Sequence, residues 1–192
     1  GRAYQDKVVA AAKANNMRVV GPNCQGVMCV ESRVPWSRRS TFPTEAGGVT
    51  VISQSGGGGG SFVNLAHERG IRFNKIVTIG NECDVSVTDF IHYFGQDEGT
   101  RTLFLFLEGF RDGGRILEEI RPVAAQKPIV VYKIGRTAVG AKAAASHTGS
   151  LAGSIRVYDG VLRQAGMIRA PSLDDSLDYL EAFESVWFSK RR

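Results

Sequence analysis

The 192-residue chain is long enough for one well-packed domain and part of another, but not for two complete large domains. Its 43% hydrophobic and 22% charged residues exclude a disordered chain, and no apolar run approaches the roughly 18 residues of a membrane span. The net charge of +5 is scattered, with short clusters only at Arg38-Arg39 and Lys190-Arg191-Arg192 and no interleaved aromatics, which argues against nucleic-acid binding and suits a phosphorylated small molecule.

Taken in chain order, residues 4–16 predict a helix and Met17–Val20 a short strand, stopped by the turn-forming Gly21-Pro22-Asn23. That first helix is amphipathic and lacks the basic and apolar regions of a secretory signal; a glycine at residue 1 points to a piece of a longer chain. Between about Val30 and Gly48 the pattern lapses into prolines, arginines and hydroxyls without periodicity, the composition of a linker. Short apolar runs then alternate with helical patterns. The runs are GVTVIS (48–53), KIVTI (75–79), TLFLFL (102–107), PIVVYKI (128–134) and MIRA (167–170); the helices are expected near 61–69, 87–95, 113–125, 153–165 and 173–188. Alternation of this kind predicts an α/β domain, an open parallel sheet of about five strands with helices on both faces. Cys24, Cys29 and Cys83 form neither a CxxC pair nor a zinc-ligand spacing, so a reduced, cytoplasmic protein without a disulfide framework or metal site is expected.

In an open parallel sheet the ligand sits beyond the carboxyl ends of the strands. Those ends are Ser53-Gln54-Ser55-Gly56, Gly80-Asn81-Glu82, Glu108-Gly109 and Lys133-Ile134-Gly135-Arg136. The first closes a strand and opens a helix, which leaves backbone N–H groups to hold an anion; Ser53, Gln54, Ser55, Gly56 and Gly57 are the candidate phosphate cradle. The five glycines Gly56 to Gly60 also match a flexible spacer and weaken a helix, but a spacer has no reason to stand between a buried strand and the amphipathic FVNLAHERG.

Glu108 ends the most apolar strand, and alone would read as a solvent-facing glutamate. His147 lies thirteen residues beyond Ile134 in the small-residue loop GRTAVGAKAAASHTGSLAG, on the same edge of the sheet. A carboxylate accepting from one ring nitrogen fixes the tautomer and frees the other as nucleophile or base. A slim loop with no bulky apolar anchor lets such a nucleophile visit two sites. His67 and His92 fall inside helical patterns and are assigned no role.

GPNCQGV (21–27), VISQSG (51–56), GNECDV (80–85), LFLEGF (105–110), KPIVVYKIGR (127–136) and SHTGSLAG (146–153) together resemble the NDP-forming acyl-CoA synthetases, relatives of the succinyl-CoA synthetase alpha subunit. The resemblance spans residue 4 to about 185. It implies a flavodoxin-like domain at 48–192, a linker at 31–47, and at 1–30 the end of a CoA-binding Rossmann domain. It also implies a phosphohistidine at His147, a carboxylate partner at Glu108, and phosphate held by the helix opened at Ser53-Gln54-Ser55-Gly56. Asn81, Lys133 and Arg136 are further candidate phosphate or CoA contacts. The implied reaction converts a carboxylic acid, ATP and CoA into acyl-CoA, ADP and phosphate, with Mg2+ accompanying the nucleotide. Its partners would be CoA-binding and ATP-grasp domains or subunits in an oligomeric enzyme, without which this piece should be inactive. The glycine run departs from the family pattern, where bulkier residues follow SQSG. Two rival readings are a ligand-sensing, non-catalytic synthetase-like module of a protein acetyltransferase, which the retained His147 argues against, and a flavin or signalling domain, which has no use for SHTGSLAG.

Overall fold

The computed structural model describes residues 1–35, 43, 45–110, 113–135 and 155–189. In chain order it contains α1 (Arg2–Ala14), β1 (Gly26–Cys29), β2 (Val49–Ser53), α2 (Gly56–Glu68), β3 (Phe73–Thr78), α3 (Val87–Gly95) and β4 (Thr102–Leu107). Next comes α4, a helix in which a π turn (Ile116–Ile120) separates Gly113–Arg115 from Arg121–Ala124, and then β5 (Ile129–Lys133), α5 (Ile155–Gln164), β6 (Ile168–Ala170) and α6 (Leu173–Ser189).

The six strands form one sheet in the order β1-β3-β2-β4-β5-β6. β3, β2, β4, β5 and β6 run parallel, as expected of βαβ units, whereas β1 is antiparallel to β3. Every residue of the central β2 and β4 is buried, which is why VTVIS and TLFLFL read as continuous apolar runs rather than alternating ones. Along β4 the pleat divides the core. Leu103, Leu105 and Leu107 face the layer of α3, α4 and α5, with Ile91, Ile120 and Leu162, while Phe104 and Phe106 face α2 and α6, with Phe62, Val63 and Leu180. Phe62 stacks on Phe104 with ring centroids 4.0 Å apart. None of the described helices is long and apolar enough to cross a membrane.

Two local expectations are corrected. Met17–Val20 is not a strand: Val19 N–H donates to Asp84 and the Val19 carbonyl accepts from Val85 N–H, so this run is held by the β3–α3 loop and not by a neighbouring strand. The strand lies instead at Gly26–Cys29, after the turn. The helix expected near 61–69 begins five residues earlier, at the Gly56 expected to open it after the cradle: Gly56 to Gly60 are the first five residues of α2.

Candidate functional site

The strand order reverses at β2, whose two neighbours β3 and β4 follow it in sequence on opposite sides, so the crevice between the carboxyl ends of β2 and β4 is the topological switch point. An open cleft of about 300 Å³ lies there. It is lined by Gln54, Ser55, Gly56 and Gly57 where β2 passes into α2, by Glu108 after β4, by Gly80 and Asn81 of the β3–α3 loop, and by the stretch Asn23-Cys24-Gln25.

Ser55 caps α2: its hydroxyl accepts from Gly58 N–H at 3.1 Å, while Gly59 N–H donates to the Ser55 carbonyl at 3.0 Å. The amides of Gly56 and Gly57, with no helical partner of their own, remain at the cleft, where the positive end of the helix favours an anion. The glycines have separate reasons. A Cβ on Gly58 would lie 2.7 Å from Phe106 and one on Gly59 2.5 Å from Ser53 Oγ, so the backbone of α2 rests directly on β2 and β4; at Gly57 a Cβ would meet open space.

Ser53 is fully buried and does not reach the cleft; its hydroxyl donates to the Ser55 carbonyl at 2.7 Å and accepts from Ser55 N–H at 3.1 Å, bracing the turn. The Gln54 amide oxygen accepts from the N–H groups of Glu108 at 2.5 Å and Gly109 at 3.1 Å. Its nitrogen donates to the Gly109 carbonyl at 2.6 Å and to Glu82 Oε1 at 2.5 Å. Asn81 Nδ2 donates to Gln5 Oε1 of α1 at 3.0 Å.

Lys133 does not line the cleft. Its ammonium donates to the Ile134 carbonyl at 2.6 Å and sits 5.4 Å from the Tyr158 ring centroid; burial pushes its pKa down, and the charge of Glu108 partly opposes that. The structure thus brings together Gln54, Ser55, Gly56, Gly57, Asn81 and Glu108, and sets Ser53 beneath them and Lys133 apart. His147 and Arg136 lie outside the described residues.

Sequence reasoning did not assign a site role to Asn23, Cys24, Gln25 or Glu82. The first three come from the loop before β1, against which Gly80 of the β3–α3 loop is pressed: it takes φ +53, and a Cβ on it would lie 2.1 Å from the Pro22 carbonyl. Asn81 N–H donates to Pro22 O and Cys83 N–H to Gly21 O, both at 2.9 Å, so the two loops are bonded backbone to backbone. Gly80 is a signal for this approach, because only glycine fits a left-handed position pressed against another main chain. Among the described residues no group of three or more His, Cys, Asp or Glu side chains could hold a metal ion.

Residues 46–183 match the protein family described as the succinyl-CoA ligase like flavodoxin domain. The chain is 39% identical, over 94% of its length, to the ADP-forming acetate–CoA ligase of Methanocaldococcus jannaschii, and covers 25% of that protein. It is 36% identical, over 97% of its length, to the alpha subunit of ADP-forming acetate–CoA ligase I of Pyrococcus furiosus, covering 40% of it. Among solved structures, dinucleotide-forming acetyl-coenzyme A synthetase 1 of Ca. Korarchaeum cryptofilum, in complex with phosphate and ADP, superposes with a TM-score of 0.86 at 34% identity, over 94% of this chain and 39% of that one. The chain therefore spans well under half the length of these relatives. With a family match over most of its length and the flavodoxin-like strand order β3-β2-β4-β5-β6, the chain belongs to the succinyl-CoA ligase-like flavodoxin domain family.

Proposed function

We propose that this domain is the phosphoryl-carrying part of an NDP-forming acyl-CoA synthetase, with the phosphoryl group on His147. The observation that supports this most is the cleft itself, which Glu108 lines together with Gly56 and Gly57, whose amides take no bond within α2, at the switch point of the sheet. The arrangement fits an anion next to a group that can orient an imidazole.

In this reading Glu108 accepts from one ring N–H of His147, and the other nitrogen attacks the γ-phosphorus of ATP; a P–N bond forms as the P–O bond to ADP breaks. The amides of Gly56 and Gly57 hold the phosphoryl oxygens. A carboxylate oxygen of the substrate acid then attacks the phosphorus, the P–N bond breaks, and an acyl phosphate forms. Attack of the CoA thiol on the acyl carbon releases phosphate and its own proton, giving the thioester. Phosphoryl transfer asks the protein mainly for position and charge stabilisation, which a rigid helix start supplies. Magnesium would arrive with the nucleotide.

ATP-grasp and CoA-binding domains or subunits complete the enzyme, in an oligomer in the cytoplasm. Residues 1–30 end the CoA-binding domain and residues 31–47 link it to the flavodoxin-like unit at 48–192, whose sheet takes up β1 (Gly26–Cys29) as its edge strand. The similarity to a ligase alpha subunit, which this chain covers to 40%, supports that division of labour. In the full-length enzyme with ATP and magnesium, His147→Ala should carry no acid-labile phosphate and Glu108→Gln should label more slowly. Normal labelling of His147→Ala would end this reading.

A further inference from the structure

We infer that Gln54 and Glu82 are positioning residues that set the main chain of Glu108-Gly109, and that Gln54 is not a phosphate ligand. The inference rests on the role proposed above for Glu108.

A glutamine side chain offers two N–H donors and one oxygen with two acceptor sites. In Gln54 all four are engaged: the oxygen takes the amides of Glu108 and Gly109, and the nitrogen gives to the Gly109 carbonyl and Glu82. Nothing of the amide is left for a phosphoryl group, although Gln54 lines the cleft. The backbone N–H of Gln54 adds a fifth tie, to the Phe106 carbonyl at 3.0 Å. A Cβ on Gly109 would meet no described atom within 4 Å beyond its chain neighbours, so described side chains do not pin Gly109. Beyond the bond from Ile134 N–H to the Leu107 carbonyl at 2.8 Å, the ties on the main chain where Glu108 leaves β4 are those of the Gln54 clasp.

Glu82 completes that clasp. The N–H groups of Glu108 and Gly109 can only donate, so they take the Gln54 oxygen and turn its nitrogen towards Glu82 Oε1, which accepts. A flipped Gln54 would present N–H groups to N–H groups. Glu82 is itself fixed: it is 6% exposed, its backbone stands at φ +48, and Oε2 accepts from Val87 N–H at 2.8 Å in the first turn of α3. The same turn holds the far end of the Glu108 loop. Asp89, in a capping box with Ser86, accepts from Arg115 at 2.9 Å at the start of α4. Both ends of the segment that follows β4 are thus tied to the amino terminus of α3.

The test uses Gln54→Met, Gln54→Glu and Glu82→Gln in the full-length enzyme. Single-turnover phosphorylation by ATP should fall about 100-fold in Gln54→Met, the loss that a misplacement of about 1 Å brings, with the KM for ATP and the inhibition constant of inorganic phosphate unchanged. Gln54→Glu places a second carboxyl against Glu82 and the Gly109 carbonyl, so its pKa should lie above the usual carboxylate range. Protonated, it restores a donor; its phosphorylation rate should therefore recover as pH falls, where Gln54→Met does not. Amide exchange at Glu108 and Gly109, which does not depend on activity, should speed up in Gln54→Met and Glu82→Gln. Wild-type labelling rates in all three variants, or a parallel weakening of phosphate inhibition, would overturn the inference. If the unaltered enzyme carries no phosphohistidine the functional reading fails, and unchanged amide exchange would separately refute the positioning role.

Discussion

Replacing Gly59 by alanine tests whether the glycine run exists for packing or merely survives in a helix. A Cβ built there would lie 2.5 Å from Ser53 Oγ and 2.6 Å from Ser53 Cβ, and Ser53 is fully buried at the end of a central strand, with no room to withdraw. Alanine gains about 1 kcal/mol in helix propensity. Against it stand about 1–3 kcal/mol for overpacking and about 1 kcal/mol for each of the two Ser53 hydrogen bonds that the shift disturbs. The net expectation is destabilisation by about 2–4 kcal/mol, each kcal/mol lowering Tm by about 2–4 °C in a domain of this size. Gly57→Ala is the internal control, because its Cβ enters open space; it should stabilise by about 0.5–1 kcal/mol. Urea unfolding measures both through the midpoint at constant slope. If Gly59→Ala stabilises as much as Gly57→Ala, the close seating of α2 on β2 is wrong, and with it the placement of the amides at the cleft.

Three further outcomes follow from the same contacts. Asp84 is held below its ordinary range by the Arg18 guanidinium and by Val19 N–H, so its contribution is present above the unfolded pKa and is lost as pH falls through the folded one. The stability gap between the protein and Asp84→Asn should therefore be full at neutral pH and close in acid; a gap that stays constant across the acid limb contradicts this. Lys133 titrates below a free lysine through burial, with Glu108 opposing the shift. Glu108→Gln should lower the Lys133 pKa further, read from the Cε resonance, and a rise would contradict their proximity. Ser55→Ala removes the cap on Gly58 N–H and should cost about 1 kcal/mol in urea unfolding; no loss would mean that the cap is not made.

The parallel core was legible because burial on both faces writes TLFLFL and VTVIS as unbroken apolar runs. The edge was not. β1 is four residues long, carries no alternation, and finds its partner β3 across a sequence gap from Gly26 to Thr78. Met17–Val20 looked more strand-like, yet its partners are a loop carboxylate and a loop amide. At the site, Ser55, Gly56, Gly57 and Glu108 could be read because each stands at the end of a legible strand. The function of Gln54 could not: its partners Glu82 and Gly109 are 28 and 55 residues away, and only the fold shows that their demands exhaust its amide. The glycine run had the composition of a spacer, and the distances from Gly58 and Gly59 to Phe106 and Ser53 decide against that.

The central claim is tested most directly by mapping phosphopeptides under alkaline conditions, which preserve phosphohistidine, after the full-length enzyme has met ATP and magnesium. The account predicts label on the peptide that contains His147 and its loss when ADP is returned. A competent, folded enzyme that turns over ATP, acid and CoA with no phosphate on His147 would contradict it.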